Sequence, residues 1–362
     1  MTELRYDRGA LDRSSPHADA GARALGSTAA SAVASDRPRL GFLGVGWIGR
    51  HRMQAIAASD VADVVAVADA SPDAAAQAAE HAPGAAIFGS LDAILEAGVD
   101  GVVLATPSAL HAAQAVAALE RGVAVFCQKP LARTAAETRR VVDAAREADR
   151  LLAVDLSYRF TDGMRRVREL VRGGELGDVY AVDLVFHNAY GPDKPWFYDP
   201  ELSGGGCVID LGIHLVDLAL WTLDFPRLEG VTSRLYAKGA PLRDARAAVE
   251  DYAVARLDLD GGAAVQLACS WNLPAGCDAV IGASFYGTRG GAALRNVNGS
   301  FYDFTAERFH GTRRETLSAP PDDWGGRAAV AWATRLAAGE RFDPAVARLV
   351  EVAAALDAIY GR

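Results

Sequence analysis

From Arg39 to about Asp155, short runs of β-branched and other apolar residues alternate with Ala-rich stretches whose polar positions recur at helical spacing. The runs Leu40 to Leu43, Val64 to Ala68, Val102 to Ala105, Val123 to Phe126 and Leu151 to Val154 are nearly all apolar, as strands covered on both faces should be. Ala109 to Glu120 and Ala135 to Ala148 read as helices between them. Ser71-Pro72 supplies an N-cap followed by proline at the first helical position. This alternation predicts an α/β domain over 37–156, a doubly wound parallel sheet.

After Tyr158 the pattern changes. A helix at about Asp162 to Arg172 precedes a long strand at Val179 to Asn188 and a second helix from about Cys207. The strands Tyr252 to Leu259, Ala263 to Trp271 and Val280 to Tyr286 follow, and Asp260-Gly261-Gly262 is a hairpin signal between the first two. An antiparallel sheet in a C-terminal α+β domain over 157–362 is the expectation. The Ala-rich stretch Gly326 to Tyr360, split by Gly339 and Pro344, is expected to be helical and to lie against this second domain. Residues 1–36 show no sustained periodicity and no apolar signal core, and are read as a disordered extension, with a processed leader as the alternative.

A chain of 362 residues exceeds what one core usually organises, and 51% apolar content suffices for two. With 37 basic against 46 acidic residues and no basic run, nucleic acid is not an expected partner. The apolar stretches are interrupted by charge or glycine, so no membrane span is expected. Cys127, Cys207, Cys269 and Cys277 are scattered without C-x-x-C pairing. They read as reduced thiols of a cytoplasmic protein, not as a disulfide framework or a structural zinc site.

Gly44-Val45-Gly46-Trp47-Ile48-Gly49 follows the first strand directly and opens a helix, the context in which a Gly-x-Gly-x-x-Gly pattern binds a dinucleotide. Gly44 permits the turn, Gly46 lets backbone approach a pyrophosphate, and Gly49 lets helix pack on strand. Asp69, twenty residues on at the end of the second strand, suits a ribose 2′-hydroxyl and repels a 2′-phosphate. Ala70 and Ser71 offer no compensating cation, so NAD is expected in preference to NADP. Thr106-Pro107 and Cys127-Gln128-Lys129-Pro130 each end a parallel strand at the carboxyl edge, where such sheets bind ligands. Lys129 there is a candidate proton donor or acceptor. A solvated loop lysine is the plainer alternative.

In the apolar stretch Cys207 to Trp221 the only charged or titrating side chains besides the cysteine are Asp210, His214 and Asp217. Their spacing of four and three residues suggests a narrow polar stripe on a buried helix. Buried polar groups need partners, and a polyhydroxylated substrate would supply them. Asp beside His suits proton transfer. Against this stand a helix-capping Asp210 with a satisfied core histidine, and a metal ligand set, disfavoured because the stripe holds one histidine.

Taken together, the glycine fingerprint, Ala105-Thr106-Pro107 with His111, Lys129-Pro130, and Gly204-Gly205-Gly206 leading to Asp210 and His214 resemble the Gfo/Idh/MocA family, the glucose-fructose oxidoreductase and inositol dehydrogenase type, from about Pro38 to the end. The resemblance implies a Rossmann domain followed by an open, mostly antiparallel sheet that mediates homodimer or homotetramer formation. Its cofactor contacts would include Trp47, Ile48, Thr106, Pro107, His111, Gln128 and Lys129. It also implies a cis bond before Pro130, with Lys129 polarising a substrate oxygen, His214 exchanging the hydroxyl proton and Asp210 orienting His214. Gln128 departs from the family's glutamate, which changes the electrostatics around Lys129.

Trp196, Phe197 and Tyr198 are candidates for stacking on a sugar ring or for core packing, and Arg159 and His187 for further substrate contacts. The implied activity is interconversion of a secondary hydroxyl and a ketone on a sugar, sugar derivative or cyclitol. NAD-dependent glycoside cleavage through transient oxidation, or ligand sensing without chemistry, are the alternatives.

Overall fold

The computed structural model describes residues 37–362, and the N-terminal extension expected over residues 1–36 lies outside them. Six strands form the first sheet: β1 (Arg39–Leu43), β2 (Asp63–Ala68), β3 (Ala86–Ile87), β4 (Gly101–Leu104), β5 (Ala124–Cys127) and β6 (Leu152–Val154). All pair in parallel in the order β3-β2-β1-β4-β5-β6. The direction of winding reverses between β1 and β4, and the crevice outside those two strand ends is where doubly wound sheets take their ligands. The crossovers are α1 (Trp47–Ser59), α2 (Pro72–Glu80), α3 (Leu91–Glu96), α4 (Ser108–Glu120) and α5 (Ala135–Ala148). Strand β3 escaped the sequence pattern because it is two residues long and exposed.

The second half begins with α6 (Asp162–Arg172), β7 (Val179–Asn188), α7 (Pro200–Ser203), a π-helical turn at Val208–Gly212, and α8 (Ile213–Thr222). The strands β8 (Leu228–Ala237), β9 (Ala240–Pro241), β10 (Tyr252–Leu259), β11 (Ala264–Ser270), β12 (Ala279–Gly287), β13 (Gly291–Asn296), β14 (Phe304–His310) and β15 (Arg313–Ser318) follow. With β7 they form one nine-stranded sheet, ordered β15-β14-β13-β12-β7-β11-β10-β8-β9 and antiparallel except between β7 and β11. On β7, Val182, Leu184 and Phe186 face a core shared with Leu215, Val216 and Leu218 of α8, while the residues between them face the other way. Strands β8, β9 and β13–β15 were not read individually from sequence; β9 is two residues long, and partly exposed strands that mix charged with small residues, as β8, β14 and β15 do, look like loops.

Two sequence expectations change here. Pro200–Thr222 is long and apolar enough to cross a bilayer by length and composition, which the sequence reading had not allowed, but 89% of its apolar window is buried within the protein. Its hydrophobicity is that of a core helix. The C-terminal helical stretch does not lie wholly against the second domain either. Helix α9 (Arg327–Ala337) returns to the first sheet, where Ala329, Trp332 and Ala333 share a core with Leu40, Met53 and Phe126. Trp332 meets the Phe126 ring at 5.7 Å between centroids. A parallel sheet must be covered on both faces, and α9 completes the layer that α1 begins. Helix α10 (Arg348–Tyr360) packs between α5, α8 and β8. The four cysteines are free thiols, and Cys207 and Cys269 lie 3.8 Å apart, sulfur to sulfur, without a bond.

Candidate active site

The turn after β1 is shaped by three glycines. Gly44 has φ +84°, and a Cβ there would stand 2.5 Å from the Ala105 carbonyl oxygen. At Gly49 a Cβ would lie 2.1 Å from the Gly44 carbonyl oxygen, so any side chain would force α1 off the strand. Around Gly46 nothing among the described residues lies within 4 Å of the Cβ position, which leaves its backbone open to a ligand. Helices α2, α3 and α5 are capped by Ser71, Ser90 and Thr134, whereas α1 and α4 have no side-chain cap. Those two helices follow β1 and β4, so uncapped N–H groups meet at the crevice. Asp69 accepts hydrogen bonds from Val45 N at 2.7 Å and Ser71 N at 2.8 Å. A carboxylate has about four acceptor sites, so capacity remains for ribose hydroxyls. These residues fit a dinucleotide, and Trp47, 57% exposed and stacked on His51, stands at the lip of the turn.

At the ends of β4 and β5 the side chains tie loops together. His111 is buried, and its two ring nitrogens lie 2.7 Å from the carbonyl oxygens of Thr106 and Pro130. Burial lowers its pKa. It braces the Thr106-Pro107 and Lys129-Pro130 turns against each other, and the latter bond is cis. Thr106 Oγ1 donates to Gln114.

Gln128 is turned inward: its Nε2 donates at 2.6 Å to Asp155 Oδ2, which also accepts from Arg52 Nε at 2.6 Å. Where the family pattern has a glutamate, this chain places a neutral amide against a carboxylate from the end of β6 and a guanidinium from α1. Neither Asp155 nor Arg52 was singled out from sequence. The one available signal was an acidic residue directly after an apolar strand at the sheet's carboxyl edge.

Lys129 spans the two halves of the chain. Its Nζ donates to the backbone oxygen and to Oδ1 of Asp210, both at 2.7 Å. The other carboxylate oxygen of Asp210 accepts from Trp271 Nε1 at 3.1 Å. The expectation that Asp210 orients His214 is corrected: Asp210 bonds Lys129 and Trp271, and among the described residues His214 Nδ1 is buried without a hydrogen-bond partner. Asp210 sits in the π turn and is drawn instead to Lys129 and Trp271. His214 packs on the Tyr158 ring at 4.9 Å between centroids. Burial, with the positive charges of Lys129 and Arg52 nearby, holds its imidazole well below the usual pKa.

The remaining candidates fall around this group or away from it. Asp217, third in the stripe, is paired bidentately with Arg159, whose guanidinium lies 5.7 Å from the Trp221 and Phe225 ring centroids. Arg159 is thus held by a buried carboxylate. His187 hydrogen-bonds Ser270 at 2.7 Å and stacks on Tyr252, on the face of the sheet opposite Phe186. Neither Arg159 nor His187 joins the Lys129–Asp210 group. Tyr198 does approach it, meeting the Trp271 ring edge-on at 5.6 Å with 47% of its surface exposed. Trp196 stacks on Phe197, which in turn packs on Trp271. Among the described residues no three His, Cys, Asp or Glu side chains gather as a metal site.

An open glycine cradle on a doubly wound sheet, with a lysine reaching from it to a carboxylate of a second domain, defines the two-domain architecture of a nucleotide-dependent oxidoreductase. Residues 39–156 match the model of an oxidoreductase family with an NAD-binding Rossmann fold, and residues 164–293 match the GFO/IDH/MocA C-terminal domain. The chain belongs to the Gfo/Idh/MocA family. It is 30% identical over 277 residues to D-glucoside 3-dehydrogenase of Escherichia coli strain K12, covering 73% of this chain and 79% of that one. An inositol 2-dehydrogenase of Acidiphilium cryptum strain JF-5 is 32% identical over 244 residues, covering 66% and 69%. Among solved structures, GenD2 from gentamicin A biosynthesis in complex with NAD superposes with a TM-score of 0.75 at 25% identity, covering 94% of this chain and 97% of that one.

Proposed function

We propose that this protein interconverts a secondary hydroxyl and a ketone on a sugar, sugar derivative or cyclitol, using NAD in preference to NADP. The observation that carries the proposal is the Lys129–Asp210 pair beside an imidazole with an unpartnered buried nitrogen. Two of the three N–H bonds of Lys129 are held by Asp210, and the third is free for a substrate oxygen. Asp210, fixed from its other side by Trp271, aims that ammonium. A neutral His214 can accept the hydroxyl proton. When bound along the glycine cradle, NAD supplies the hydride acceptor.

Asp69 supports the preference for NAD, since its charge opposes a 2′-phosphate. The exposed Tyr198 ring beside Trp271 offers an apolar face for the C–H side of a sugar. The names of the glucoside and inositol dehydrogenases to which the chain is similar support the substrate class. The same proposal includes a cytoplasmic homodimer or homotetramer. The outer face of the nine-stranded sheet supports self-association, with a concavity of about 850 Å³ lined in part by Val185, Val254, Ala268 and Val280.

The test is nicotinamide absorbance with NAD or NADP against a panel of inositols, hexoses, glycosides and amino sugars, then with the matching ketones and NADH. Turnover with NAD is expected, and Lys129→Ala should lower it at least about 100-fold while NADH still binds. Unchanged turnover in that variant refutes the assignment. Release of free sugar from a glycoside without net NADH would replace it with glycoside cleavage.

A further inference from the structure

Glu250, two residues before β10, is fully buried, and among the described residues it has no ion-pair partner. Its carboxylate accepts from Gly206 N at 3.0 Å and Val208 N at 2.8 Å, and its backbone oxygen accepts from Cys207 N at 3.0 Å. Tyr360, at the end of α10, donates its hydroxyl to Glu250 Oε1 at 2.8 Å and accepts from Ile209 N at 3.2 Å. The N–H groups of Gly206, Cys207, Val208 and Ile209 begin the helical segment that carries Asp210 and His214. The first four donors of a helix have no partner within it, and here all four are satisfied by two residues distant in sequence.

The next hydrogen bond, Asp210 N to the Gly206 oxygen at 3.1 Å, opens the helical series. The adjacent Asp251 backbone oxygen accepts from Trp271 N at 2.7 Å, and Trp271 is the second partner of the Asp210 carboxylate. One dipeptide, Glu250-Asp251, thus holds both the backbone that carries Asp210 and the indole that fixes its side chain.

The glycines before the helix permit this approach. A Cβ on Gly206 would lie 1.9 Å from the Glu250 backbone oxygen, and one on Gly205 would lie 2.1 Å from the Tyr360 hydroxyl. A negative charge at this end also opposes the positive pole of the helix. The Glu250 pKa is raised, because burial outweighs the lowering by hydrogen bonds from Val208, Tyr360 and Gly206, so the ionised carboxylate depends on those donors.

We propose that Glu250 is a positioning residue for the reaction, a cap supplied from outside the helix that sets where Asp210, and through it the Lys129 ammonium, meets the substrate oxygen. This rests on the proposed dehydrogenase function. Glu250 touches neither the lysine nor the histidine, so its effect runs through the backbone of Gly206 to Asp210. The cofactor cradle lies on the first sheet and should not register its loss.

The experiment compares wild type, Glu250→Gln and Tyr360→Phe with whichever panel sugar the wild type oxidises best. It measures kcat, KM, the NADH dissociation constant by fluorescence, and the melting temperature. In Glu250→Gln an amide donor replaces one acceptor oxygen, and kcat should fall by about 10–100-fold, with sugar KM within about threefold and NADH binding unchanged. Tyr360→Phe, which keeps the carboxylate and loses only the Ile209 acceptor and one donor, should lose kcat in the same pattern but less.

A kcat within about twofold of wild type in Glu250→Gln overturns the proposal, as does a loss shared equally by NADH binding and melting temperature. If Glu250→Gln does not fold, unchanged kcat in Tyr360→Phe overturns it alone. Absence of turnover by the wild type on every sugar is a different result, and refutes the underlying function.

Discussion

Asp155→Ala should be among the most destabilising single changes in the first domain. Its side chain is 1% exposed, and that of Arg52 is 6% exposed. One oxygen, Oδ2, accepts from both Arg52 Nε and Gln128 Nε2 at 2.6 Å. Removing the carboxylate leaves a guanidinium buried with only His51 Nδ1 in reach of NH1, a situation that costs about 3–5 kcal/mol. The stranded Gln128 donor adds about 1–3 kcal/mol where it finds no other acceptor.

A paired replacement, Arg52→Met with Asp155→Leu, removes the uncompensated charge along with its partner. It should recover most of the loss, leaving the Gln128 deficit of about 1–3 kcal/mol. The assay is urea unfolding at pH 7.5 followed by tryptophan fluorescence, with Trp332 reporting from the same core. Arg52→Met, Asp155→Leu and the double variant then form a cycle. A cost below about 1 kcal/mol for Asp155→Ala, or a double variant no more stable than Asp155→Leu alone, refutes the reading of this cluster as a buried ion pair.

Two further outcomes are expected. His214 is held well below its usual pKa, so its neutral, proton-accepting form is already complete at neutral pH. The acid limb of kcat/KM for alcohol oxidation should therefore lie below about pH 6.5 and vanish in His214→Gln, and a limb above that value belonging to His214 contradicts the assignment. The linked stability has the same sign. A histidine with a depressed folded pKa contributes stability above about pH 6.5 that is lost as pH falls towards the folded value, by up to about 1.4 kcal/mol per pH unit. Gly49→Ala places a methyl 2.1 Å from the Gly44 carbonyl oxygen. It should weaken NADH binding by at least about tenfold in a fluorescence titration, and unaltered binding would mean that this turn does not hold the dinucleotide.

Features set by near neighbours were legible in the chain itself. The fingerprint could be read because a turn at positive φ, an open backbone and a close helix contact each require glycine at a fixed offset. The parallel strands could be read because burial on both faces makes a run apolar from end to end. Ser71, Ser90 and Thr134 occupy cap positions that local chemistry favours. Lys129, Asp210 and His214 stood out as polar residues in apolar or strand-end settings.

Their partners did not stand out. Lys129 meets Asp210 across 81 positions, Arg52 meets Asp155 across 103, and Glu250 reaches Gly206 across 44. Helical spacing suggested that Asp210, His214 and Asp217 work as one stripe. The separate claims of Lys129, Trp271 and Arg159 divided them. Helix α9 read as a helix lying against the second domain, and only the uncovered face of the first sheet determined that it returns there. The sequence by itself determined conformations, because those depend on sterics and hydrogen bonds within a few residues. Only the tertiary structure decided which buried charge answers which, because that depends on strand register and on the crossovers that bring distant loops to one edge.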